Sequence, residues 1–184
     1  MSKDDKFLVF WEWFLKGSGG KSGYQRLFNR WVYFHILIGW ALSSLITVDT
    51  NVAANTVLLP LVGILIGLAF AWAGNAQALM QSVEIEELAE KHEGGFVDYV
   101  YTYQLAILVI LTTVVFWSLA GLDVFNKVWP TPNIKIPYLM IKVLLYGMTS
   151  MTLRECWHVV LGAQFMLIAQ RLIKKSKEGG KSKT

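Results

Sequence analysis

Arg154, Glu155 and His158 lie within five residues of one another and form the densest ionisable group in any apolar stretch of this chain. In a helix Arg154 and His158 are four apart and share a face, while Glu155 and His158 are three apart and also approach each other. His35, in another apolar stretch, adds a ring that can change charge near neutral pH, with Gly39 and Ser43 following at helical spacing. A guanidinium, a carboxylate and imidazoles inside an apolar segment can line an ion path, form a vestibule or act as a pH-sensitive latch. The competing reading is structural, with Arg154 balancing Glu84, Asp98 or a carboxylate of a neighbouring subunit.

Other chemistry is poorly represented. The chain has no His-Glu-x-x-His helix and no Gly-x-Ser-x-Gly turn, and its single cysteine, Cys156, has His158 two positions away on a different helix face. The segment Gly17 to Gly23 ends like a phosphate-binding loop, but Leu15 stands where the first glycine belongs, so it reads as a flexible hinge. The acidic positions Glu84, Glu87, Glu90 and Asp98 have helical spacing rather than that of a calcium loop, and read as a solvated acidic cytoplasmic face. The expectation is a non-enzymatic protein with no catalytic residue, no metal and no cofactor.

The elements that must hold the ionisable group are long apolar runs. Trp31 to Val48, Thr56 to Ala73, Tyr99 to Leu122 and Ile136 to Leu153 each come close to the roughly 20 residues a helix needs to cross hydrocarbon. Lipid offers the backbone no partners, so each run should be a helix that satisfies its own amides. With 54% apolar and 16% charged residues the 184-residue chain is too apolar for an ordinary soluble domain. The fold class expected is all-α, a polytopic membrane protein with four transmembrane helices and cytoplasmic helical extensions.

Basic residues set the orientation. Lys3, Lys6, Lys16, Lys21, Arg26 and Arg30 precede the first run, and Arg171, Lys174, Lys175, Lys177, Lys181 and Lys183 follow the last, which places both ends in the cytoplasm. The formal charge of +4 sits largely in these tails and suits an anionic inner leaflet, and no basic stripe interleaved with aromatics suggests nucleic acid. A bacterial inner membrane is the expected location. The chain divides into an N-terminal segment over 1–30 with an interfacial helix, a transmembrane domain over 31–171 that includes an acidic extension over 74–98, and a basic tail over 172–184.

Two further patterns bear on assembly. Gly63, Gly67 and Ala71 repeat at four-residue spacing, which lets helix backbones approach closely in lipid, within one subunit or between subunits. The second and fourth helices look longer than the membrane: one would run from about Thr56 to His92, the other from Pro137 to Arg171. The function expected is a homo-oligomeric pore or channel-like assembly in the lipid bilayer. The alternative is a membrane anchor or sensor that recruits a cytosolic protein to those extensions. Cysteines introduced at Asn51 and Asn133 should label from outside, and those at Glu87 and Ser182 from the cytoplasm. Labelling of position 133 from the cytoplasm would overturn the four-span arrangement.

Overall fold

The computed structural model of the protein describes residues 10–17, 22–83, 85, 95–125 and 135–181, and the regular structure among them is entirely helical. In chain order the helices are α1 (Phe10–Lys16), α2 (Gly23–Leu27), α3 (Trp31–Leu45), α4 (Thr50–Ala53), α5 (Leu59–Met80), α6 (Gly95–Gly121) and α7 (Lys135–Lys181). A π-helical turn, Ala54–Leu58, joins α4 to α5. Pro60 explains it: proline has no amide hydrogen and its ring crowds the carbonyl four residues back, that of Thr56, so the backbone widens there.

Three helical segments are long and apolar enough to cross a membrane: Thr50–Met80, Val100–Gly121 and Pro137–Lys177. The first expected span falls short. α3 has 15 residues, a rise of about 22 Å against a hydrocarbon core of about 30 Å. Its end has a local cause, because Ser43 and Ser44 both return their hydroxyls to the Trp40 carbonyl and Ile46 then turns extended. The expected uninterrupted helix to His92 is also corrected. α5 stops at Met80, where Gln81 and Ser82 donate to carbonyls only three residues back and the Ser82 hydroxyl adds a bond to the Leu79 carbonyl. Residues 84 and 86–94, with Glu84, Glu87 and Glu90 among them, lie outside the described residues.

The chain forms two compact units, one from residues 1–29, 73–105 and 161–184, the other from 30–72 and 106–160. In the first, α1 is docked on protein. Trp13 is fully buried, stacks obliquely on Tyr101, and donates its indole N–H to Asp98 at 3.0 Å. Arg26 of α2 clamps the same carboxylate through Nη2 at 3.0 and 2.8 Å and lies over the Trp13 ring. Asp98 is therefore buried, at 4% exposure, and is no part of a solvated acidic face. Gly17, with φ of 80°, closes α1 by donating to the Trp13 carbonyl in a left-handed cap.

In the second unit the four long elements run alternately. Asn55 donates to the Gly121 carbonyl at 3.1 Å, which ties the start of the π turn to the end of α6 and satisfies one of the orphan carbonyls there. Trp117, Leu145, Tyr146 and Leu58 pack with Ala54 and Ala120 as the core, the Trp117 and Tyr146 rings meeting edge to face at 5.4 Å. Lower in the unit Ala69, Ile110 and Cys156 form a second contact. α3 crosses α7 antiparallel at Gly39 and Gly147, whose backbones touch: a methyl on Gly39 would collide with the Val143 carbonyl and the Gly147 amide. Backbone atoms cannot rotate out of the way. Gly39→Ala should therefore cost about 1–3 kcal/mol by forcing the helices apart, read as a lower unfolding temperature in detergent; unchanged stability would show that α3 is not clamped there.

Candidate functional site

The second unit collects its polar groups along one length of α7. Thr149 and Thr152 are three apart and face α6; Ser150 faces α3; Arg154, Glu155 and His158 follow. Toward α6 the threonine hydroxyls are matched, while the buried Tyr146 hydroxyl, on a ring that packs against Trp117, has no partner among the described residues. The Trp117 indole donates to Thr149 at 2.8 Å, and Thr149 passes its own proton to the Leu145 carbonyl at 3.0 Å. Thr152 donates to Thr113 at 2.8 Å, and Thr113 to the Val109 carbonyl at 3.0 Å. Threonine serves this role because its hydroxyl can bond its own helix four residues back and still accept from a neighbour.

Toward α3 the ionisable groups meet. The His35 ring is buried, at 6% exposure, with Nδ1 bonded to the Ser150 hydroxyl at 2.9 Å. The stripe that His35 shares with Gly39 and Ser43 is the buried face of α3. Arg154 Nε lies 3.8 Å from Glu155 Oε1, and His158 Nδ1 lies 3.7 Å from Glu155 Oε2. Both are ion-pair separations rather than hydrogen bonds. Arg154 and Glu155 are mostly buried, with 18% and 11% of their side chains exposed, whereas His158 is about half exposed at 49%. The cluster thus begins inside the unit and reaches its surface at His158.

Of the residues singled out from sequence, Arg154, Glu155 and His158 are joined through the carboxylate, and His35 lies alongside through Ser150. The carboxylate facing Arg154 is that of Glu155, while Asp98 is held by Arg26. Gly63, Gly67 and Ala71 are exposed, and a methyl added to either glycine meets nothing within 4 Å. Their face makes no close packing with the described residues. Sequence reasoning passed over Lys142, which is buried within the fourth apolar run and donates its ammonium to the Ile46 carbonyl at the end of α3. It also passed over Ser150, although the position one turn ahead of Arg154 on the same face signals it.

No family model matches this chain, and no curated protein or solved structure is detectably similar to it.

The geometry sets what Arg154 is worth. A tight buried pair loses about 3–5 kcal/mol when one partner is removed, but at 3.8 Å the Arg154–Glu155 contact is looser, and about 1–3 kcal/mol is expected for Arg154→Met. A double-mutant cycle with Glu155→Gln should recover part of that loss, since the carboxylate is no longer left without its cation. Additive losses in the unfolding midpoints would show that the two side chains do not act on each other.

Proposed function

We propose that the protein is a membrane protein whose copies assemble into a channel-like pore, with Arg154, Glu155 and His158 beside the aqueous path. One observation carries this reading: the cluster emerges at His158 on a surface otherwise built of exposed Leu153 and Trp157. Hydrocarbon is a poor neighbour for an ionisable ring linked to a carboxylate, and water or another subunit is a good one. The open face of Gly63, Gly67 and Ala71 on α5 supports the same assembly, because small residues with nothing over them are where a second helix can come close in lipid. In this reading α3, extended by Ile46 to Val48, makes the fourth crossing and the basic ends share the cytoplasmic side of a bacterial inner membrane. No reaction is assigned to the chain.

A second reading has its own support. On the later part of α7, Phe165, Ile168 and Leu172 are all exposed large apolar side chains, and a cytosolic protein could cover them while the chain serves as its anchor.

The two separate by experiment. Because Gly67 has open space around it, Gly67→Leu should leave the single subunit folded yet push neighbouring subunits apart. The expected result is a clear fall in the oligomer fraction in nanodiscs and in conductance across a planar bilayer. A variant that oligomerises and conducts like the parent would remove the α5 face from the assembly, and a parent that stays monomeric and silent would favour the anchor.

A further inference from the structure

We infer that the late part of α7 is a docking site for one amphipathic helix with acidic flanks, supplied by a cytosolic protein. This rests on the anchor reading above and names the chemistry of the partner. Phe165, Ile168 and Leu172 are 68%, 52% and 64% exposed, and with the partly buried Leu161 they follow one another at steps of four, three and four residues. Steps that average about 3.5 residues keep apolar side chains in one narrow stripe along a helix, the width that a single partner helix covers.

Water rather than lipid surrounds the stripe. α6 and α7 meet at Tyr103 and Gly162, where the tyrosine hydroxyl lies 2.6 Å from the position of a Cβ on the glycine. At that level α6 presents Thr102 and Gln104 to the outside, polar groups that water suits and hydrocarbon does not. Among the described side chains α6 exposes no large apolar group before Leu111. Along α7 itself, Phe165 stands about 42 Å of rise beyond Pro137, against a hydrocarbon core of about 30 Å. Large apolar side chains aligned in water mark a surface that another protein covers.

Charge selects the occupant. Arg171 and Lys175, one turn apart, run along one edge of the stripe, with Lys174 beyond them. All three are exposed, and none pairs with a carboxylate among the described residues. A second copy shares its orientation in the membrane, so its α7 would set the same cations against their own kind at the edge of a water-excluding contact. A helix that carries carboxylates four residues apart beside its own apolar stripe meets them with the opposite charge instead.

The test uses the full chain in nanodiscs of zwitterionic lipid. Ile168→Cys should react quickly with a membrane-impermeant maleimide, the parent serving as the blank because Cys156 is buried. A protected position 168 would mean that a second copy, lipid or the chain itself covers the stripe, and would remove the anchor reading together with the docking site. Two fluorescent amphipathic peptides then probe the open face, alike in leucine spacing but flanked by glutamates in one and by lysines in the other. The glutamate peptide should bind at least about tenfold tighter than its twin, with the preference shrinking as salt rises. Ile168→Asp should abolish its binding, and Arg171→Glu combined with Lys175→Glu should reverse the preference. Equal binding of the two peptides, binding of neither, or an unchanged preference in the charge-reversed variant would overturn the acidic partner while leaving the anchor reading in place.

Discussion

Where α3 crosses α7, only hydrogen fits on the Gly39 Cα, because the Val143 carbonyl and Gly147 amide occupy the space a methyl would take. The remaining features of the second unit on that side follow from this approach. One turn along α3, it lays His35 against Ser150; toward the other end of α3, it brings Ile46 to Lys142. Had either glycine carried a side chain, the two backbones would stand farther apart, as in an ordinary helix pair, and a ring on α3 could not reach a serine hydroxyl on α7. In lipid such proximity substitutes for the hydrophobic drive that is absent between apolar helices.

The same unit treats its polar groups in two ways. Between α6 and α7 the hydroxyls of Thr113, Thr149 and Thr152 and the indole of Trp117 form bonds in which each donor has an acceptor, so these four side chains are polar yet satisfied. Between α3 and α7 the groups are stronger and their pairing looser. A guanidinium 3.8 Å from its carboxylate is held by field more than by a bond. Fully satisfied hydroxyl bonds fix a helix contact, while ionisable groups with spare valence respond to what comes near them. Lying on one helix, they let a rigid contact support an adaptable one.

Much of the helical class was legible in the sequence, because long apolar runs with at most one charge leave the backbone no other solution in hydrocarbon. The ionisable cluster was legible too, as three charged or titratable residues in an apolar context. Element ends were harder. That α3 stops at Leu45 depends on Ser43 and Ser44 competing for one carbonyl, and that α5 stops at Met80 depends on Ser82 doing likewise; a serine in a helix carries no mark of which bond it will choose. Packing was harder still. Two small-residue stripes, one on Gly63 and Gly67 and one on Gly39, look alike by spacing, and only the geometry shows the second buried against backbone and the first open. Asp98 reads as one of a run of acids, and its burial comes from Trp13 and Arg26, far away in sequence.

Lys142 gives the short helix α3 a dependence on the order of synthesis. Its ammonium bonds the Ile46 carbonyl, 96 residues earlier in the chain, at the end of α3 where the helix dipole leaves negative charge. A nascent chain that has made α3, α5 and α6 lacks that cation, so α3, the shortest of the long helices, has its final carbonyls unmatched until translation reaches α7. The first of the long helices to emerge is thus completed by the last, and a chain truncated before Lys142 would leave α3 without the partner that holds its far end.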